Sequence, residues 1–181
     1  MDLSQRESIS GNADNSGPCN LKTICDGAFT HCEKLVTVIL PEGLDSISSW
    51  CFLNTGIRTI LIPKSVRCIE DSAFYNCYSL KQVIFQEDSE LCEIREEVFA
   101  DTSLKTFTAP PLLRKVGGEA FYGCKSLSKV VLNEGLTTLY NDNDSVYHKY
   151  SIFENSALRT IVLPSTLKQI FRRTFKNCRF L

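Results

Sequence analysis

The sequence predicts an α/β solenoid of stacked coils, and three observations carry that prediction. Val66, Ile69, Ala73, Phe74, Cys77, Leu80, Val83 and Phe85 mark out an apolar pattern that recurs along the chain. Its copies begin at Leu21, Leu44, Val66, Leu91, Leu113, Leu136 and Leu167, spaced 22 to 25 residues apart except across one insertion. A fixed period in that range is the signature of a repeat architecture. Each copy also places one phenylalanine at the same point: Phe29, Phe52, Phe74, Phe99, Phe121, Phe153 and Phe175. No copy can hide its apolar face alone, so stacking must make the core, with the rings in one internal column.

Three parts are expected in each unit. The first is a short extended piece such as Leu44–Ile47 or Leu113–Val116. A compact turn around the phenylalanine follows. Asp26, Asp71, Glu96 and Glu119 precede several of these turns, which suits the first residues of a one- or two-turn helix or a 3-10 turn. The third part is a strand in each of the ranges 35–40, 57–62, 80–85, 104–109, 127–132 and 158–163, whose inward residues follow Leu-x-x-Val-x-Leu and which a proline often ends. Odd-numbered units carry Cys32, Cys77, Cys124 and Cys178 three residues after the phenylalanine. Even-numbered units are one residue shorter there and carry Asn54-Thr55, Asp101-Thr102 and Asn155-Ser156. The full repeat is therefore a pair of units with two turn geometries.

Composition excludes several classes of function. The 181 residues include 20 basic and 21 acidic side chains, a net charge of -1 that gives no electrostatic case for nucleic acid. No apolar run approaches the roughly 20 residues a membrane-spanning helix needs, so membrane insertion is not expected. Residues 1–10 lack the apolar middle of a secretory signal, so either a leader is missing or export does not use that route. The nine cysteines form no Cys-x-x-Cys pair, which argues against structural zinc. The four repeat-position cysteines recur in alternate coils, about 10 Å apart at a strand spacing of about 5 Å, too far for disulfides. They are read as small buried thiols, and Cys25, Cys68 and Cys92 as outward ones.

The pattern Leu-x-x-Ile-x-x-x-Ala-Phe-x-x-Cys-x-x-Leu-x-x-Val-x-Leu, plainest at Val66–Phe85 and Leu113–Leu132, resembles the BspA-type leucine-rich repeat family over residues 21–181. The resemblance implies a right-handed, strand-rich leucine-rich-repeat solenoid with its parallel sheet on the concave face. It also implies adhesion, since members known for it sit on microbial surfaces and bind host or matrix proteins. A cell-surface or secreted location follows by that resemblance alone. The motif positions are structural and fix no binding residue.

Catalysis has little to stand on. His31 adjoins Cys32, but neighbours in a tight turn point apart, so an exposed turn histidine is the simpler reading of this one of the two histidines. Gly117-Gly118 lacks the further glycine of a dinucleotide fingerprint and is read as a turn. No enzyme, cofactor or metal site is expected. Two features could bind a partner. On the strands, Ile39, Leu61, Ile84, Thr108, Val131 and Val162 face outward in the middle slot, five of the six apolar, beside Thr37, Thr59, Gln82, Thr106, Lys129 and Thr160. Such a stripe suits a protein surface, or merely the β-branched residues that strands favour. A row of Arg58, Lys81, Lys105 and Arg159 adds charge at one rim.

The second feature is the insertion at 140–152, where Tyr140, Tyr147, His148 and Tyr150 offer rigid amphipathic contacts. A tolerated surface loop is the plainer reading of this segment, and calcium binding by Asp142 and Asp144 lacks the glycine and glutamate of an EF-hand. The expected function is a non-enzymatic module for a protein ligand. A structural or self-assembling role, with a homodimer through the uncapped C-terminal end, and a glycan-binding role are the alternatives. Residues 1–20, rich in Ser, Asn, Asp and Gly, are expected to be mostly mobile ahead of the solenoid.

Overall fold

Each repeat folds as one coil with three sides in the computed structural model, which describes residues 8–10, 21–139 and 151–181. The strands are β1 (Ser8–Ser10), β2 (Thr23–Ile24), β3 (Thr37–Ile39), β4 (Ser46–Ile47), β5 (Thr59–Ile62) and β6 (Cys68–Ile69). They continue with β7 (Gln82–Phe85), β8 (Glu93–Ile94), β9 (Thr106–Thr108), β10 (Lys115–Val116), β11 (Lys129–Val131) and β12 (Thr160–Val162). All pairings are parallel, as coils that advance in one direction require.

The first side is a five-stranded sheet of two-residue strands in the order β10-β8-β6-β4-β2. It stacks Ile24, Ile47, Ile69, Ile94 and Val116 in register, and a single bridge from Thr138 to Gln169 extends the ladder into the last coils. The longer strands make another side, in the groups β1-β3, β5-β7 and β9-β11-β12; β3, β5, β7, β9, β11 and β12 each fall inside a predicted range, and β1 lies outside them all. Strand β1 comes from the polar leader and aligns Ser8, Ile9 and Ser10 with Thr37, Val38 and Ile39. The core fills the space between. In the second coil Leu44, Ile47, Phe52, Ile57, Ile60 and Ile62 are all fully buried.

The third side holds the phenylalanine turns, and here the expected helical turns are corrected. Among the described residues there is no helix. The reason lies in left-handed residues beside the rings, one after every ring and, among the described residues, one before six of the seven. The one before it is Gly27, Trp50, Ser72, Glu97, Glu119 or Arg173, with φ between 54° and 67°, and the one after it is His31, Asn54, Asn76, Asp101, Gly123, Asn155 or Asn177. Left-handed residues break a right-handed helix. Hydrogen bonding follows the same alternation. Phe52 N–H donates to Ala73 O of the next coil at 2.8 Å, whereas Leu53 N–H donates back to Trp50 O at 3.0 Å. Alternate amides thus stitch coil to coil, which a helix could not do. The acidic residues act across coils too: Asp71 Oδ1 accepts from Glu96 N–H at 3.1 Å.

Within these turns the seven rings form the expected column. Phe29, Phe52, Phe74, Phe99, Phe121, Phe153 and Phe175 lie 5.2 to 5.7 Å apart, with interplanar angles of 2° to 25°. Phe153 keeps its place despite the insertion before it, so the extra residues leave the column intact.

The odd–even alternation also has a physical cause. The Cys77 thiol donates to Phe52 O at 3.0 Å in the coil before it, and the Thr55 hydroxyl meets the same sulfur at 3.2 Å. Cys124 repeats this with Phe99 O and Thr102, and Cys178 with Phe153 O and Ser156. The small polar pair of each even coil supplies the hydroxyl for the thiol of the next odd coil. The expected column of buried cysteines needs correcting at its ends, however. Cys77 and Cys124 are buried, Cys178 is half-buried, and Cys32 of the first coil is exposed.

Candidate functional site

Parallel register turns the outward strand residues into columns. Leu61 pairs with Ile84, and Val131 pairs with both Thr108 and Val162. Since successive side chains alternate in direction, the residue between each outward pair is inward: Val38, Ile60, Phe107 and Val130 are buried. Ile39, Leu61, Ile84 and Val162 are 57, 46, 39 and 47% exposed, Thr108 is exposed, and Val131 is half-buried. The apolar stripe is therefore open at four large residues. Thr37, Thr59, Gln82, Thr106, Lys129 and Thr160 stand exposed beside it, and Arg58, Lys81, Lys105 and Arg159 are exposed at the rim. Tyr140, Tyr147, His148 and Tyr150 lie outside the described residues.

Among the described residues no group of three His, Cys, Asp or Glu is placed to hold a metal ion. No described helix is long and apolar enough to cross a membrane. His31 is exposed in its turn, where its Nδ1 meets Asn54 Nδ2 at 3.0 Å. Burial pushes the thiols of Cys51 and Cys124 up to about 12 and that of Cys68 up to about 11. These sulfurs stay protonated at neutral pH, the opposite of a nucleophile's need.

Sequence reasoning missed a second feature, on the turn side. A cleft of about 640 Å3 opens over the sixth coil, with Lys125 and Arg179 on its walls and Asn155, Asn177 and Phe180 along it. Asp101 at one end is pulled two ways, burial raising its pKa and Lys125 lowering it. A smaller cleft of about 320 Å3 lies at the matching place over the second coil, against Asn54, Gly56 and Tyr78. The signal for both was present in the sequence: the residue missing from every even turn.

Stacked parallel coils with a shared phenylalanine spine define a leucine-rich-repeat solenoid, a class that serves generally as a protein-interaction or adhesion scaffold. The BspA type Leucine rich repeat region matches in six copies over residues 14–128 and 92–181, and the chain belongs to that family. Among solved structures, a leucine-rich repeat protein of T. pallidum superposes with a TM-score of 0.72 at 22% identity, covering 95% of this chain and 83% of that one. The pneumococcal vaccine antigen PcpA gives a TM-score of 0.59 at 21% identity over 95% of this chain. The chain spans only about half of the pneumococcal antigen, 54% of its length. These likenesses speak for the fold. A search of curated proteins returns no match.

Proposed function

We propose that the chain is a non-enzymatic adhesion or interaction module that binds a protein through the outward face of its long strands, with the 140–150 loop as a second contact. The observation behind this reading is the pair Leu61–Ile84, in register on neighbouring coils and open to solvent, with Ile39 exposed at the same slot of the coil before. Scattered exposed apolar residues are ordinary on protein surfaces, but a contiguous run with a polar and charged rim is the composition of a contact surface. The family's adhesive members support a location at the cell surface or outside the cell.

The experiment compares capture of partner proteins by the intact chain, by Ile84→Lys and Val131→Lys, and by a variant lacking residues 141–150. Circular dichroism confirms the fold of each. Loss of capture in the lysine variants with unchanged spectra supports the strand face; retention in both rejects it. Loss on deleting the loop assigns recognition to that segment. If nothing is captured and sedimentation depends on concentration, the self-assembling alternative through the C-terminal coil replaces this reading.

A further inference from the structure

The clefts on the turn side share one cause. Each even coil lacks a residue after its phenylalanine, so it forms a floor between longer odd neighbours. Over coil two the walls are Glu33 and Tyr78; over coil six the same two places hold Lys125 and Arg179. The backbone notch is thus a property of the repeat, and its charge is a property of two side chains. In the larger notch those side chains are both cationic, and the Asp101 carboxylate at one end, near Lys125, offsets part of that charge. The Arg159 guanidinium lies 4.7 Å from the centre of the Phe180 ring, which steadies the ring at the rim and adds a third positive charge. Asn177 Nδ2 donates to Asn155 Oδ1 at 2.9 Å, which leaves the other half of each amide as one donor and one acceptor along the cleft.

We propose that the notch over coil six is a binding site for a carboxylate-bearing sugar, free or at the end of an acidic glycan. The fork of Arg179, with Lys125 opposite, fits a planar carboxylate. The asparagine amides fit neighbouring hydroxyls, which need donor and acceptor together. Phe180 and Tyr122 offer ring surface to the C–H face of a sugar. A volume of about 640 Å3 falls inside the usual range of ligand pockets, about 300–1,000 Å3. The site is open and its cations are exposed, so binding is weak and falls as salt rises. It is separate from the strand face, and Ile84→Lys leaves it unchanged.

The test is calorimetric titration of the full chain with sodium glucuronate at low ionic strength, against glucose and acetate. Glucuronate is expected to bind at least about tenfold more tightly than either. Arg179→Gln and Lys125→Gln each weaken it about tenfold, the loss expected from one charged hydrogen bond, while Glu33→Gln in the other notch has no effect. A hyaluronan tetrasaccharide that binds more tightly than glucuronate identifies a glycan end as the source, and equal affinity identifies the free acid; both support the site. The proposal is overturned if glucose or acetate matches glucuronate, if glucuronate gives no heat at tens of millimolar, or if both glutamine variants bind as the parent does.

Discussion

The left-handed residue after each phenylalanine is chosen for its place: His31, Asn54, Asn76, Asp101, Asn155 and Asn177 are types that tolerate positive φ, and Gly123 has no Cβ to clash. The one before it is not so chosen, since Trp50, Glu97 and Arg173 gain nothing locally from φ values of 54°, 55° and 67°. Cross-coil amide bonds such as Trp50 N–H to Asp71 O hold them there. Buried thiols set another condition at this scale. Cys124 is held up to about 12 by desolvation, against about 8.5 for a thiol in an unfolded chain. Below about pH 8.5 both states are protonated and its contribution to stability is fully present. Between there and about pH 12 only the unfolded chain loses the proton, so stability falls with rising pH. The loss is bounded at about 1.4 kcal/mol per pH unit for this one thiol. Urea midpoints between pH 8.5 and 10.5 are therefore expected to drop less steeply in Cys124→Ser than in the parent, and parallel slopes would mean that the buried thiol does not govern alkaline stability.

Pairing of an even coil with the odd coil after it is the unit of construction. Thr102 Oγ1 donates to Phe99 O at 2.8 Å and meets Cys124 Sγ at 3.4 Å, and that thiol donates to the same carbonyl at 3.1 Å. Three groups thus satisfy one another in a buried place. Thr102→Val is expected to cost about 1–2 kcal/mol, as deletion of a buried hydrogen bond does. In a double-mutant cycle with Cys124→Ala the coupling should be about 0.5–1 kcal/mol by denaturant midpoints; additive losses would show that hydroxyl and thiol act separately. The alternation itself was legible in the sequence, because cysteine and the shortened Asn-Thr turn recur in strict turn. Its chemistry was not, since which hydroxyl meets which thiol depends on stacking between units. The helical turns failed for a related reason. Acidic residues ahead of the phenylalanine read as a helix start, but Glu119 is itself left-handed, and Asp26, Asp71 and Glu96 are each followed by a left-handed residue, Gly27, Ser72 and Glu97, which the acidic side chains do not announce.

Seven units at one period, each with a phenylalanine, made the stack and its spine readable over the whole molecule, because every coil repeats one inward pattern. The outward stripe was readable for the same reason, as the slot between Val38 and Leu40 or between Ile60 and Ile62 can only face out. The cationic notch escaped because it is made by a residue that is absent and by walls 54 positions apart, Lys125 and Arg179. Contacts in a solenoid of this kind run mainly between neighbouring coils, so its cohesion passes from neighbour to neighbour along the spine. Phe99 stacks on Phe74 at 5.7 Å and on Phe121 at 5.6 Å, and is fully buried, whereas Phe175 has, among the described residues, one stacked ring neighbour, Phe153, and is half-buried. Phe99→Ala is expected to cost about 3–5 kcal/mol, the range for removing a buried ring. It opens a gap at mid-spine, so the coils on either side should also unfold less cooperatively, with a smaller dependence on denaturant. Phe175→Ala removes a half-buried ring stacked on one side, and is expected to cost well under half as much and to leave that dependence unchanged. Equal losses from the two substitutions in urea melts would show that the spine is not what joins the coils.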